Sequence, residues 1–188
     1  MLKVYRLALT AGCLIHLGCG AAPQDTFWSA LHTLCGNAYR GTLITGTAPA
    51  DSTFANNEMI MHVRECSESE VRIPFHVGED RSRTWIITRT AAGLRLKHEH
   101  HHEDGAPSDI TMYGGDTRDE GTAALQRFHA DSVTARLDAD AVTNVWSIEL
   151  VPGERFAYGL VREATGRTIN IAFDLSATVP APPPPWGS

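Results

Sequence analysis

Apolar and polar residues alternate along most of the chain beyond its first forty residues. A period of two is typical of β-strands with one buried face, because successive side chains of a strand point to opposite faces. The pattern is clearest near the end, where NVWSIELV, RFAYGLVRE and RTINIAFDLS are separated by Pro-Gly-Glu and Ala-Thr-Gly turns. These segments predict a β-meander of three strands joined by hairpins.

Further strands are predicted upstream of this meander from the same alternation. They are 41–47, 58–66, 71–77, 84–90, 94–102 and 109–113, the last of which is ended by Gly114-Gly115-Asp116. The block that follows is ambiguous. We favour a strand over 122–129 and then a short helix capped by Asp131.

One helix of about nine residues is predicted before the strands. Asp25-Thr26 supplies an N-cap, the apolar residues that follow recur with helical spacing, and Gly36 stops the helix. Many short strands without βαβ alternation favour a mainly β antiparallel sandwich or barrel. A helix that leads directly into a meander resembles the entry of lipocalin-like barrels. The predicted fold is therefore a lipocalin-like up-and-down barrel with a short N-terminal helix.

The chain has 188 residues, 43% of them hydrophobic, which is enough for one well-packed domain and rather few for two. We assign this domain to 23–178. The Pro-rich segment 179–188 predicts an extended polyproline tail, either solvated or docked on an aromatic groove. The formal net charge of −6 argues against nucleic acid or an anionic membrane surface as the main partner, since both attract basic patches.

Residues 1–22 have the features of a secretory signal peptide: a short basic start, an apolar run and then small residues. The apolar run is too short to cross about 30 Å of hydrocarbon. Leu17-Gly18-Cys19 resembles the end of a bacterial lipoprotein signal, although His16 and Leu17 depart from that pattern. The resemblance implies cleavage before Cys19, lipidation of Cys19, and a periplasmic or extracellular place in the cell envelope with membrane contact through the lipid alone. Plain secretion is the alternative.

Four cysteines occur in the chain. Cys13 leaves with the leader and Cys19 carries the lipid, so Cys35 and Cys66 remain as a pair in an oxidising compartment. The chain has no CxxC motif. A structural disulfide between Cys35 and Cys66 is therefore predicted rather than a redox-active site.

Several segments of the mature chain resemble a group of secreted bacterial proteins of uncharacterised function. The segments that carry the resemblance are FWSALHTLCGNAYRG, IPFHVGEDRSRTW, LRLKHEHHHEDG, MYGGDT and PPPPWG. The resemblance covers nearly all of the mature chain. It supports the assignment of one exported domain and implies no mechanism.

The stretch LRLKHEHHHEDG, residues 94–105, contains four histidines within five positions. Strand alternation places His98 and His100 on the inward face marked by Leu94 and Leu96, with His101 on the other face. Residues two apart on a strand are separated by about 6.6 Å, so His98 and His100 are candidate ligands of one metal ion, zinc in the first instance.

A metal site of this kind needs at least a third ligand. His62 and His76 lie on neighbouring predicted strands; alternation places His76 outward and leaves the side of His62 open. The other interpretation of the histidine run is a polar strand end whose side chains face water.

The segment GEDRSRTW, 78–85, packs acidic, basic and hydroxyl side chains together. One interpretation is a hairpin loop in which Asp80 bonds backbone amides and an arginine pairs with an acid nearby. The other is a binding site for an anion or polar ligand at the opening of the barrel.

The chain has no GxSxG, no HExxH and no phosphate-binding glycine-rich loop, which argues against an enzyme. The favoured hypothesis is a binding module whose barrel interior takes a small apolar ligand. The residues expected to line that interior are Ile60, Trp85, Leu96, Trp146 and Phe173. The alternatives are a metal-binding protein that uses His98 and His100, and an envelope scaffold whose barrel is filled by its own side chains.

Overall fold

The computed structural model describes residues 21–188, which contain eleven strands and three α-helices. The strands are β1 (Ala38–Gly46), β2 (Met59–His62), β3 (Glu65–Cys66), β4 (Glu70–Val77), β5 (Asp80–Thr90), β6 (Gly93–His100), β7 (Tyr113–Asp116), β8 (Leu125–Ala130), β9 (Asn144–Val151), β10 (Arg155–Arg162) and β11 (Arg167–Asp174). The helices are α1 (Pro23–His32), α2 (Ser52–Asn56) and α3 (Ser132–Leu137). Two 3-10 turns, Pro49–Asp51 and Ala139–Thr143, precede α2 and follow α3.

Ten of the strands close into an antiparallel up-and-down barrel. From β4 to β11 each strand pairs with the next one along the chain, and β11 then pairs with β1. The ring is completed because β1 pairs with β2 and β2 pairs with β4. β3 pairs with β4 outside this ring. The prediction of a mainly β up-and-down barrel with a short N-terminal helix is confirmed.

The alternation that predicts the strands also builds the core. In β9, Trp146, Ile148 and Leu150 are buried, while the residues between them are partly exposed. The same inward faces of the other strands meet inside the ring and form one apolar core. Each large apolar side chain that is buried in this way contributes roughly 1.5–3 kcal/mol.

The two ends of the barrel differ. At one end α1 is packed into the core through Phe27, Trp28 and Leu31, and its Asp25 forms an ion pair with Arg89 near the end of β5. The other end is bordered by α2, the loop 101–112 and α3, each of which connects two strands there. We call this second end the mouth of the barrel.

Several element boundaries differ from the predicted ones, and the structure explains three of these differences. α1 begins at Pro23 rather than after a cap at Asp25, because proline suits the first turn of a helix, where its missing N–H costs nothing. β5 begins at Asp80, so most of the segment 78–85 is strand and not loop. The predicted strand 58–66 is interrupted because the backbone of Val63 bonds to the loop that follows α1.

The strand predicted over 109–113 is wrong, because β7 contains the two glycines that were expected to end it. A Cβ added to Gly114 would lie 2.0 Å from the carbonyl oxygen of Leu96, and one on Gly115 would lie 1.7 Å from that of His129. The backbones of β6 and β8 therefore approach β7 too closely for any side chain at these positions. The glycine pair marks this close approach and not a turn.

The predicted disulfide between Cys35 and Cys66 is confirmed. The two Cα atoms are 6.3 Å apart and the residues are separated by 31 positions. The bond ties the segment after α1 to β3, which lies outside the closed ring.

Replacing both cysteines with alanine should lower the free energy of unfolding by roughly 3 kcal/mol, because the bond removes loop entropy from the unfolded chain. Urea denaturation of the double variant and of the oxidised wild type measures this difference. Wild type in reducing buffer is the control and should match the variant. Equal midpoints and slopes for the oxidised wild type and the variant would contradict the prediction.

The Pro-rich tail runs across the outside of the barrel. The amide of Val179 donates to the carbonyl of Ala38 in β1 at 2.9 Å, and the amide of Trp186 donates to that of Arg81 in β5 at 3.1 Å. The guanidinium of Arg81 donates in turn to the carbonyl of Pro184 at 3.1 Å. These three hydrogen bonds hold the tail against the barrel.

The predicted leader lies almost wholly outside the described residues, and so do Cys13 and Cys19. Its cleavage and lipidation remain predictions. Within residues 21–188, none of the helices has both the length and the apolar character needed to cross a membrane.

Candidate functional site

A cavity of about 340 Å³ lies inside the barrel on the side of the mouth. Its wall is built by inward side chains of the barrel strands, together with residues of α2, the loop 101–112, α3 and the 3-10 turn that follows it. Small-molecule sites in proteins have volumes of about 300–1,000 Å³. The cavity is therefore large enough for a small ligand and too small for a large one.

The inner part of the cavity is aromatic. Trp85 lies between Phe75 and Tyr158, with ring centroids 4.7 and 4.5 Å away and nearly parallel planes. Trp146 completes this surface and is 1% exposed. We call these four side chains the aromatic wall. They offer flat apolar area that costs little conformational entropy to order, because each side chain is already fixed by its neighbours.

His98 is a buried residue of the same cavity wall, and it fixes the hydroxyl of Tyr158. Burial lowers the pKa of His98 to about 3, so its imidazole is neutral at pH 7 and carries one N–H. The carbonyl oxygen of Tyr113, 3.3 Å from Nδ1, can only accept, so Nδ1 donates to it. Nε2 then accepts from the hydroxyl of Tyr158 at 2.9 Å. The Tyr158 hydroxyl therefore uses its proton in the bond to His98 and cannot donate it to a ligand at the same time.

Tyr113 and His100 form a second polar pair on the cavity wall. The hydroxyl of Tyr113 lies 3.1 Å from Nε2 of His100, and its ring stacks on His98 with centroids 4.7 Å apart. Burial raises the pKa of Tyr113 to about 12. Burial, and then the charge of Arg83, lowers the pKa of His100 to about 4. Both groups are therefore neutral at pH 7, and this part of the wall is polar without being charged.

Three arginines carry the positive charge of the cavity wall: Arg83 of β5, Arg162 of β10 and Arg167 of β11. Each is held by one carboxylate. Arg83 pairs with Asp80 at 2.6 Å. Arg162 pairs with Asp138 at 3.2 Å, and Arg167 pairs with the buried Asp51 at 2.6 Å.

The residues predicted to line a ligand site occupy different places. Trp85 and Trp146 line the cavity. Leu96 and Phe173 are completely buried in the core but do not line it. Ile60 does not face the interior: its neighbours in β2 are buried and it is partly exposed, so alternation places it on the outside of the barrel. In β2 the inward positions are those of Met59 and Met61, which are buried.

His98 and His100 share the inward face, as predicted, while the ring of His101 lies against the backbone of Gly187 in the tail. His98 does not face water, since it is 3% exposed. His62 and His76 alternate with inward residues and lie on the outside of the barrel, so they do not join the pair. Residues 21–188 contain no group of three or more metal-ligating side chains, and zinc binding by His98 and His100 stays a prediction.

The segment 78–85 has features of both predicted structures, the hydrogen-bonded hairpin and the polar-ligand site at the opening of the barrel. The carboxylate of Asp80 accepts from the amide of Ser82 at 2.9 Å and from Arg83, as in the hairpin interpretation. The side chain of Arg83 also lines the cavity at the mouth, as the ligand-site interpretation requires.

Sequence reasoning missed Tyr113, Tyr158, Arg162 and Arg167. For three of them the signal was present, because alternation alone places them inward: Tyr158 and Arg162 are each two residues from Leu160, and Arg167 is two residues from Ile169. A charged residue at the last inward position of a strand indicates the rim of a barrel. Tyr113 gave no such signal, because its strand was misplaced.

No protein-family model, no curated protein and no solved structure matches the chain. The resemblance to secreted bacterial proteins therefore remains a prediction.

Proposed function

We propose that this protein is a binding module that holds a small, largely apolar molecule inside its barrel. The observation that carries the proposal is the cavity of about 340 Å³, lined by the aromatic wall and open at the mouth. Export, and attachment to a membrane through a lipid on Cys19, belong to the same proposal and are supported by the sequence of the leader alone.

The cavity favours this function over a scaffold with a filled barrel. Small barrels can be packed solid by their own side chains, and the half of this barrel next to α1 is packed in that way. The half next to the mouth contains open volume that aromatic side chains border. Metal binding has weaker support, since both ring nitrogens of His98 already have hydrogen-bond partners.

Filling the cavity should abolish binding. Leu160 and Val161 are adjacent in β10; Leu160 lines the cavity, and Val161 points outward and is 45% exposed. Leu160→Trp should weaken the binding of 2-naphthylmethanol at least about tenfold, because the larger side chain occupies the space that the ligand needs. Isothermal titration calorimetry measures the affinity, and wild type should bind one molecule.

Val161→Trp is the matched control and should leave the affinity unchanged. Thermal unfolding verifies that each variant is folded, and Leu160→Phe replaces Leu160→Trp if overpacking prevents folding. Saturable binding that persists in every cavity-filling variant would place the ligand elsewhere and contradict the proposal. Wild type that binds no probe at millimolar concentration would also count against it.

A further inference from the structure

We infer that the ligand is an organic anion with an apolar body, and that its carboxylate or similar group is bound by Arg83, Arg162 and Arg167 at the mouth. This inference rests on the proposed function and specifies the class of ligand. The three arginines come from three strands and lie near the ends of those strands that face the mouth.

All three arginine side chains line the same cavity as Tyr113. Burial raises the pKa of Tyr113 to about 12, and the charges of Arg83, Arg167 and Arg162 each lower it. Their side chains are only 24%, 18% and 31% exposed, in the order Arg83, Arg162, Arg167. Partial burial makes the attraction between these groups and an anion stronger than it is in water.

The charge of the wall is not balanced within the cavity. Of the three carboxylates that pair with the arginines, Asp138 lines the cavity, while Asp51 and Asp80 do not. Asp51 and Asp80 thus hold their arginines from behind and fix the direction of the guanidinium groups. With His98 and His100 neutral, the lining carries three cations and one anion.

The guanidinium groups also retain unused donors. Each has five N–H bonds. Arg83 uses Nη1 for its hydrogen bond to Asp80, and Arg167 uses Nη2 for its hydrogen bond to Asp51, so each side chain keeps other N–H groups with which it can donate to a ligand. Arginine suits a carboxylate because its planar group donates two parallel hydrogen bonds.

The rest of the wall limits the ligand to a single anionic group. Beyond the arginines the cavity is lined by the aromatic wall and by aliphatic side chains such as Leu160, Ile169 and Ile171. A second charge placed there would lose its hydration without a partner. Tyr113 and Tyr158 line the same cavity, and their neutral hydroxyls suit one neutral polar substituent at most.

Two probes that differ only in charge test the inference. We expect the full protein to bind 2-naphthoate at least about tenfold more tightly than 2-naphthylmethanol at pH 7, because hydrogen bonds to charged groups are stronger than neutral ones. Isothermal titration calorimetry gives both affinities. Raising the salt concentration should weaken naphthoate and leave the alcohol unchanged.

Arg83→Gln should lower the affinity for naphthoate about tenfold and leave that for the alcohol unchanged, since glutamine keeps a polar side chain and loses the charge. Arg95→Gln is the matched control, because Arg95 forms a similar ion pair with Asp116 on the outer surface. The control should change neither affinity. Arg162→Gln provides a second test if Arg83→Gln fails to fold.

Equal affinities for the two probes, or variants that weaken both probes alike, would overturn the anion site and leave the binding of apolar molecules standing. No saturable binding of either probe would overturn both proposals. Tighter binding of naphthoate, lost selectively in the cavity arginine variants, is the outcome that the structure predicts.

Discussion

Lowering the pH from 7 to 4 should destabilise the folded protein by several kilocalories per mole, because three buried histidines stay neutral in the folded state. Burial lowers the pKa of His98 to about 3. Burial also lowers the pKa values of His76 and His100 to about 4, with further contributions from the charges of Arg81 and Arg83.

In the unfolded chain these imidazoles have the ordinary histidine pKa of about 6.5. As the pH falls below that value, the unfolded state takes up protons that the folded state does not bind. Each of the three histidines then costs up to about 1.4 kcal/mol of stability per pH unit, until the pH reaches its folded pKa. The free energy of unfolding is therefore not reduced by these histidines above pH 6.5, and it falls as the pH decreases towards 4.

Two hydrogen-bonded aspartates act at the acid end of this window. Despite burial, Asp80 and Asp131 have pKa values below the ordinary aspartate value, because their carboxylates accept hydrogen bonds. The stability that they add is lost as the pH falls below about 5, where the unfolded chain takes up protons that the folded carboxylates do not. The loss of stability between pH 6.5 and about pH 5 therefore reports chiefly on the buried histidines.

Urea denaturation at half-unit intervals of pH measures the effect. His98→Gln should reduce the slope of stability against pH by about 1.4 kcal/mol per unit, whatever its stability at pH 7. His102→Gln is the control, because His102 is exposed in the loop after β6, and it should keep the wild-type slope. A wild-type stability that is flat between pH 7 and pH 4 would show that these imidazoles take up protons in the folded state.

Gly115→Ala should destabilise the protein by more than about 4 kcal/mol, or prevent folding altogether. The added Cβ would lie 1.7 Å from the carbonyl oxygen of His129, and both atoms belong to paired backbones that cannot move independently. Relief of the clash requires β7 to separate from β8. Because β7 begins at Tyr113, the polar pair in the cavity should be disturbed as well.

Chemical denaturation and the binding of 2-naphthylmethanol measure the two consequences. Gly153→Ala is the control: Gly153 has a positive φ of 73°, and nothing lies within 4 Å of an added Cβ. It should cost only the roughly 1–2 kcal/mol of the left-handed conformation. Similar losses for Gly115→Ala and Gly153→Ala would show that the close approach of the strands is not a constraint.

Local patterns predicted the elements whose large buried residues recur at every second position. The three strands of the meander, β9 to β11, lie within one or two residues of their predicted bounds, because each has one inward apolar face and a glycine-containing turn. The short helix α3 begins after Asp131, whose side chain accepts from the amide of Thr134 as a capping residue does. These features depend on neighbours in sequence, and a single chain contains that information.

Contacts between distant segments account for what was missed. The glycines of β7 are explained by backbones on either side, which alternation within β7 does not reveal. Trp85 and Trp146 were identified because they are large and lie at inward positions of their strands. Leu96 and Phe173 also lie at inward positions, but in the part of the barrel that side chains fill. Which inward residues border open volume depends on how far α1 enters one end, and no local pattern specifies that.

The pairing of β1 with β11 has a consequence for the rate at which this protein folds. It places Gly41 opposite Phe173, so the ring cannot close until almost the whole chain is in position. Contacts of such long sequence separation require a large loss of chain entropy before they add stability, and proteins dominated by them fold in milliseconds to seconds. Until β11 docks, β1 and β10 each present an unpaired edge to other chains. Aggregation of the open barrel, rather than unfolding of the closed one, is therefore the main hazard for a chain that folds slowly.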